Sequence, residues 1–272
     1  MPGTLRVSLP RFASNLARSS TPKITLYDVG PTHFGEMGMS PFARGIRFAL
    51  NYKSLPYAIH EVTLPTIEPT AKALGASPTP SFLARNQPRY TVPFIHDPST
   101  GRVLSDSLRI ASYLDETYPD RPLIVPPEKE TRIGQFCDSV SSITAPLIPI
   151  IMPFTISQWM SSEMQKTFPA GAGVCKLTPE EQDEVWESVV AGFRGLMNEY
   201  DIKAIGDNQS APWVMRGRDP SWADMLLTGF FWWIRAVFFD SKGWKEIEQL
   251  GGGRVGSIIE DTLEVCGPRL EQ

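Results

Sequence analysis

Alternating apolar and polar residues open the patterned part of the chain. Ile24 and Leu26 alternate with polar neighbours, and this period of two predicts a β-strand that ends in a glycine-containing loop at residues 30–40. Apolar residues then recur at helical spacing over residues 42–50, and Pro56 forbids continuation of that helix. The first two elements are therefore a strand followed by a helix.

Further strands and a second helix follow before residue 119. The stretches YAIHEV and VPFIHD are typical of strands, and the turn residues of DPSTG join the latter to a third short strand, RVL. SDSLRIASYLDETYP predicts a helix that ends at Pro119, whereas IEPTAKALGA shows no regular pattern and is interpreted as a loose segment. The predicted order is β-α-β-x-β-β-α.

The proline-dense run PDRPLIVPPEKE separates this α/β region from a helical one. Such a run fits neither a helix nor an inner strand and is typical of a linker. The sequence therefore predicts three parts: a flexible N-terminal extension at residues 1–22, an α/β domain at residues 23–122, and an all-α domain at residues 123–272.

Two capped helices stand out in the predicted all-α domain. Thr178 and Glu181 form a capping box at the start of a helix that runs to about Tyr200. Ser221 and Asp224 form a second box ahead of an almost wholly apolar segment, which predicts a central core helix. A membrane span is the competing interpretation, but charged residues interrupt the roughly 18–20 apolar residues that a span needs, so no span is predicted.

Three prolines break up another apolar stretch, APLIPIIMPF, and predict a kinked or interrupted helix. Near the C-terminus, Gly251, Gly253 and Gly256 match a G-x-G-x-x-G spacing. They follow a helical pattern rather than a strand, so a glycine turn is favoured over a nucleotide-binding loop.

Composition limits the compartment and the partners. The 272 residues carry a formal net charge of −4, which disfavours nucleic acid and anionic membranes as partners. An odd number of widely spaced cysteines fits reduced thiols in a cytoplasmic protein. The Arg- and Ser-rich residues 1–20 leave mitochondrial import as the alternative localisation. The three histidines share no metal-ligand spacing, so no metal site is predicted.

Three segments place polar groups at the start of a predicted helix or strand, where they could bind a ligand. Ser40 precedes Pro41 at the start of the first helix, where a serine by default caps the helix and where the N–H groups also favour a bound anion. Pro93 stands at the head of a strand and fits a cis bond that exposes the backbone of Val92. Asp106 and Ser107 begin the next helix. We expect these groups to face one groove.

This arrangement resembles the cytosolic glutathione transferases from about Lys23 to near the C-terminus. The resemblance rests on the strand order and on SPFARGIRFALNYKSLPY, YTVPFI, LSDSLRIASYLDETYP and SWAD, and it is nearest to the serine-type fungal group called etherase-like or fungal-specific class A. It implies an α/β thioredoxin-like N-terminal domain and an all-helical C-terminal domain.

The resemblance also implies functional roles. Ser40 would donate a hydrogen bond to the sulfur of glutathione, the co-substrate, and Val92 before cis-Pro93 would pair with its cysteinyl part. Asp106 and Ser107 would hold the γ-glutamyl end. Relatives with cysteine at the position of Ser40 perform mixed-disulfide chemistry, which this chain should therefore lack. The resemblance further implies a homodimer and a role in detoxification or secondary metabolism.

A second substrate should bind beside the sulfur. Its candidate lining residues are aromatic or flexible side chains, each of which packing alone could equally explain: His33, Phe34, Met39, Phe154 and Trp159. Two functions remain open. One is thiolate attack on a small hydrophobic electrophile, by conjugation or cleavage of an aryl-ether-like bond; the other is storage of phenolic or terpenoid ligands without turnover.

Overall fold

The structure is a computed structural model that describes residues 23–30, 38–81, 87–202, 213–215 and 217–267. The predicted N-terminal extension and its possible import signal lie outside these residues. The elements of the α/β part, in chain order, are β1 Ile24–Val29, α1 Pro41–Tyr52, β2 Tyr57–Val62, α2 Leu64–Leu74, β3 Thr79–Ser81, β4 Gln87–Arg89, β5 Phe94–Asp97, β6 Arg102–Ser105 and α3 Ser107–Thr117.

Four of these strands form one mixed sheet in the order β2-β1-β5-β6. β1 pairs in parallel with β2, since α1 returns the chain to the same end, whereas β5 pairs antiparallel with both β1 and β6. The inner strand β1 is buried along most of its length, as its apolar pattern requires. The carboxyl end of β1 therefore leads directly into the loop before α1.

The prediction of a loose segment at IEPTAKALGA is wrong, because these residues lie in helix α2 and in the glycine turn after it. Pro69 lies inside this helix, which obscured the pattern. The helical signals are nevertheless present: Thr63 and Thr66 form the capping box, Pro65 lies in the first turn, and Gly75 ends the helix at φ 81°. β3 and β4, which the sequence pattern did not predict, form a separate two-stranded sheet after α2.

The rest of the chain is helical. Its helices are α4 Glu130–Thr144, α5 Ile148–Phe154, α6 Ser162–Gln165, α7 Pro179–Glu199, α8 Trp222–Phe238, α9 Lys242–Glu248 and α10 Leu250–Cys266. Both predicted capping boxes are present at the starts of α7 and α8. The proline-rich apolar stretch is interrupted as expected: a 3₁₀ turn precedes α5 and a π-helical turn at Thr155–Trp159 follows it.

Glycines at the start of α10 form the predicted turn. Gly251, Gly252 and Gly253 have φ values of 63°, 71° and 87°, a left-handed run that separates α9 from the regular part of α10. The spacing of these glycines therefore reflects a turn between helices.

Helix α8 packs directly on α1, and glycines on both helices make the close approach possible. Gly45 of α1 leaves room for the ring of Trp222, which would lie 2.8 Å from a Cβ there. Gly229 of α8 lies against the carbonyl oxygen of Pro41, where any Cβ would overlap that oxygen. Because Pro41 begins α1, α8 is held against the end of α1 that carries Ser40.

One helical run, Pro127–Trp159, is long and apolar enough to cross a membrane by length and composition, and 39% of its apolar window is buried in the fold. It comprises a 3₁₀ turn, α4, a second 3₁₀ turn, α5 and the π-helical turn rather than a single regular helix. The core helix of a folded protein passes the same test, so this run is weak grounds for a membrane span.

Candidate active site

Ser40 is the N-cap of α1 and is 9% exposed. Its Oγ accepts a hydrogen bond from the backbone N–H of Ala43 at 3.3 Å. A hydroxyl has two acceptor lone pairs and one donor hydrogen, so this cap leaves the hydrogen available for a group in front of the helix. The positive end of the helix dipole points the same way, which favours a negative charge at that position.

A buried ion pair lies beside Gly38, two residues before Ser40. Arg47 Nη2 lies 2.7 Å from Asp28 Oδ2, and both side chains are almost completely buried. Gly38 has φ 65° and lies directly above this pair, so that a Cβ would overlap Asp28 Oδ2. Desolvation raises the pKa of Asp28, against the lowering effect of Arg47. The conformation at Gly38, two residues before Ser40, therefore depends on these charged groups as well as on the glycine itself.

The peptide bond between Val92 and Pro93 is cis, as the sequence suggested, and lies just before β5. At the next helix, Asp106 is the N-cap of α3, and its Oδ1 accepts from the N–H groups of Leu108 and Arg109, each at 3.1 Å. Asp106 has φ 76°, a left-handed conformation that is strained for a residue other than glycine. Such strain is concentrated at functional sites.

One cleft of about 960 Å³ brings all these groups together. Its lining includes Ser40, Val92, Pro93, Asp106 and Ser107. It also includes apolar side chains from both parts of the fold: Phe42, Leu108, Met152, Phe168, Trp222, Leu226 and Trp233. The cleft can therefore offer both polar and apolar contacts to a ligand.

Among the described residues, the cleft includes only one of the side chains that the sequence predicted beside a second substrate. Met39 lines the cleft, whereas His33 and Phe34 lie outside the described residues. Phe154 and Trp159 do not line it, which corrects the expectation from sequence. On α5 it is Met152 that lines the cleft, and a residue two positions later lies about 200° further round the helix. Phe154 accordingly contacts Phe238 and is 40% exposed.

Several cleft residues could not be found from sequence. Arg89 is the only cation among the described residues that line the cleft, and Glu68 and Asp138 add carboxylates. Arg89 belongs to the unpredicted β4, Glu68 to the unpredicted α2, and Asp138 to α4. No pattern in the chain marks these positions, because only the packing of the helices on the sheet brings them to the cleft.

Two other reactive side chains near the site have structural roles. Tyr27 stacks on Phe94 with ring centroids 4.3 Å apart and is 8% exposed, and burial raises its pKa. Cys137 lines the cleft, but desolvation strongly raises the pKa of its thiol, so it is a poor nucleophile at neutral pH. Among the described residues, no group of three or more His, Cys, Asp or Glu side chains could hold a metal ion.

Two family profiles together match most of the chain. Residues 39–117 match the profile described as "Glutathione S-transferase, N-terminal domain", and residues 135–264 match "Glutathione S-transferase, C-terminal domain". Among curated proteins, the glutathione S-transferase-like protein ustS of Aspergillus flavus is 27% identical over 234 residues, which span 80% of this chain and 82% of that protein.

Solved structures give the same result. A glutathione S-transferase of Ceriporiopsis subvermispora, CsGST63524, crystallised in complex with glutathione, is 30% identical and superposes with a TM-score of 0.74 over 89% of this chain and 97% of its own. Glutathione transferase GSTFuA2 of Phanerochaete chrysosporium is 27% identical, with a TM-score of 0.68 over 90% of this chain and 99% of its own.

Proposed function

This chain belongs to the glutathione S-transferase family of enzymes, which use glutathione as co-substrate, and from this premise we propose that it ionises the glutathione thiol with Ser40. The observation that carries the proposal is the position of Ser40: its hydroxyl hydrogen is free of the helix cap, and the residue lines the cleft. The thiolate then attacks a hydrophobic electrophile bound in the same cleft.

The interaction energies are sufficient for this role. A thiol titrates near 8.5, and lowering its pKa by about two units requires roughly 2.7 kcal/mol in favour of the thiolate. A charge-assisted hydrogen bond contributes about 1.5–3 kcal/mol, and a helix N-terminus adds about 0.3–1 kcal/mol or more when partly buried. Ser40 and α1 together therefore suffice without a general base.

The other polar groups match the rest of glutathione. We assign the backbone of Val92 to the cysteinyl part, which has one amide N–H and one carbonyl to pair. The free N–H of Ser107 at the start of α3 and the carboxylate of Asp106 suit the charged γ-glutamyl end. Arg89, as a cation in the same cleft, is the candidate for a carboxylate of glutathione.

The apolar part of the lining favours flat aromatic electrophiles. It includes aromatic and flexible side chains such as Phe42, Met152 and Trp233. In the proposed reaction a sulfur–carbon bond forms, and the leaving group departs with its electron pair; a phenolate would leave in cleavage of an aryl ether. Addition to an activated double bond would instead end with a proton on the neighbouring carbon.

Replacement of Ser40 tests the proposal. In Ser40→Ala we expect the thiol of bound glutathione to titrate about one to two pH units higher, measured by the ultraviolet absorbance of the thiolate, with a matching loss of conjugation at neutral pH. Ser241 caps α9 outside the cleft lining, accepting from Trp244 N–H at 3.1 Å, so Ser241→Ala is the matched control for loss of a helix cap.

The result separates catalysis from ligand storage. If Ser40→Ala conjugates a panel of aromatic electrophiles as fast as the parent protein, the catalytic assignment fails. If the parent protein binds phenolic or terpenoid ligands in the cleft but turns over no electrophile, storage becomes the function. The predicted homodimer is tested separately by sedimentation of the full chain.

A further inference from the structure

A buried threonine holds one of the tryptophans that line the cleft. Trp233 of α8 belongs to the cleft lining, and its indole N–H donates a hydrogen bond to Oγ1 of Thr155 at 3.2 Å. Thr155 is the first residue of the π-helical turn after α5 and is completely buried. Its own hydroxyl donates to the carbonyl oxygen of Ile151 at 2.7 Å. Two hydrogen bonds in series therefore fix the Trp233 side chain to the backbone of α5.

These two hydrogen bonds use all the donors of both side chains. An indole has a single N–H donor, and a threonine hydroxyl has one donor hydrogen and two acceptor lone pairs. Because the hydroxyl hydrogen of Thr155 goes to Ile151, its oxygen is left to accept from Trp233. The N–H of Trp233 is thereby occupied, so what Trp233 offers to a ligand in the cleft is apolar ring surface.

The backbone around Thr155 gives its hydroxyl a defined position. The N–H of Thr155 donates to the carbonyl oxygens of Ile151 and Met152, and its carbonyl oxygen accepts from the N–H of Met160 at 3.2 Å, five residues later. Turns of this wide kind are rare and are frequent at functional sites. Met152 itself lines the cleft. Thr155 therefore joins the part of α5 that lines the cleft to the helix that carries Trp233.

We infer that Thr155 is a positioning residue for the second substrate: it holds the indole of Trp233 in one orientation and occupies its N–H, so that this part of the lining recognises flat aromatic molecules by apolar contact. This inference rests on the proposed function, since it describes how the proposed electrophile is held. Thr155 lies outside the described cleft lining, so its effect passes through Trp233. A ring that is fixed before binding lowers the entropy cost of holding the ligand.

Replacement of the hydroxyl by a methyl group tests this inference. Thr155→Val keeps the branched shape but cannot accept from Trp233. We expect naphthalene, a flat aromatic probe, to bind severalfold more weakly in calorimetry, and the KM for chlorodinitrobenzene, an aromatic electrophile, to rise severalfold. The KM for glutathione and the thiol titration of bound glutathione should keep their parent values, since Ser40 is unchanged. Thr155→Ser retains the hydroxyl and should behave as the parent protein does.

Two comparisons separate positioning from a loss of stability. Thr144 is the matched control, because it is almost completely buried at the end of a helix and its hydroxyl donates to the carbonyl oxygens of Val140 and Ser141, both on α4 itself, at 2.8 and 3.1 Å. Thr144→Val should therefore destabilise the fold without changing naphthalene binding. Trp233→Phe has no N–H to hold, so adding Thr155→Val to it should weaken naphthalene binding no further. If Thr155→Val does not fold, Thr155→Ala replaces it.

The outcomes distinguish this inference from the proposed function. If the parent protein does not bind naphthalene, if folded Thr155→Val or Thr155→Ala binds it as tightly as the parent, or if Thr144→Val weakens binding equally, the role of Thr155 is refuted. Additive losses in the double variant refute it as well. A loss in Thr155→Val that Thr155→Ser does not show confirms it. Naphthalene binding needs no turnover, so an unchanged rate in Ser40→Ala would refute the proposed function alone.

Discussion

The buried ion pair between Lys53 and Asp115 should be among the most costly interactions in the protein to break. Lys53 Nζ lies 2.6 Å from Asp115 Oδ1 and donates a second hydrogen bond to the carbonyl of Pro122 at 2.9 Å. Asp115 Oδ2 accepts from the N–H groups of Ile124 and Val125 at 2.9 and 2.7 Å. One carboxylate therefore connects α1, α3 and the proline-rich linker.

This geometry sets the expected magnitudes. Asp115→Ala leaves a buried ammonium and two buried N–H groups without their partner, so we expect a loss of about 3–5 kcal/mol in the free energy of unfolding. Lys53→Met should cost less, since Asp115 keeps its two N–H partners. In the double variant Lys53→Met/Asp115→Ala no charge is left unpaired, so its loss should fall below the sum of the single losses by more than about 1 kcal/mol.

Equilibrium unfolding in urea, followed by fluorescence and circular dichroism together, measures these losses. The matched control is the exposed pair of Arg235 and Glu260, at a similar 2.8 Å, for which Glu260→Ala should cost no more than about 1 kcal/mol. If Asp115→Ala costs as little as Glu260→Ala, or if the double variant is additive, the reasoning from burial is refuted.

Three further changes test other parts of the structure. Gly38→Ala should raise the KM for glutathione in steady-state assays. A positive φ costs residues other than glycine about 1–2 kcal/mol, and the added methyl group would overlap Asp28. An unchanged KM contradicts this. Gly229→Ala should lower the midpoint temperature of thermal unfolding. The added methyl group would overlap the Pro41 carbonyl oxygen, and this cost exceeds the gain of about 1 kcal/mol from the higher helix propensity of alanine. A higher midpoint temperature contradicts this. Burial raises the pKa of Asp97, but hydrogen bonds from Ser99, Tyr118 and Tyr113 outweigh burial, so the net pKa is lowered. The ionised carboxylate therefore stabilises the fold above about pH 4, and this stabilisation is lost as acid protonates Asp97. In urea unfolding at pH 3–6, Asp97→Asn should therefore lose less stability than the parent protein on acidification; parallel curves would contradict this.

Local signals in the sequence were reliable where a few neighbouring residues decide the conformation. The cap at Ser40, the boxes at the starts of α7 and α8, and the cis bond before Pro93 depend on side chains and backbone within about four residues, so the sequence predicted them. The same locality explains the error at α2. Pro69 is a strong local signal against a helix, but capping at both ends and burial of two side chains outweighed it.

The apolar lining of the cleft, in contrast, could not be predicted from neighbouring residues. Phe154 and Met152 are two residues apart and both apolar, so no local rule decides which one lines the cleft. The direction of α5 and its contact with α8 decide it, and Met152 lines the cleft. The domain boundary near residue 122 stays a prediction, although the linker there is tied to both sides through Asp115 and Trp222.

The residues alone were enough to predict the order of the elements other than α2, β3 and β4, the ends of the main helices and the polar groups at Ser40, Pro93 and Asp106. These follow from hydrogen bonds and backbone restrictions between near neighbours along the chain. Tertiary packing was needed to show that these groups share a cleft with α4 and α8. Close packing of helices on a sheet joins residues far apart in the chain, and the shape of every contacting side chain decides which ones meet.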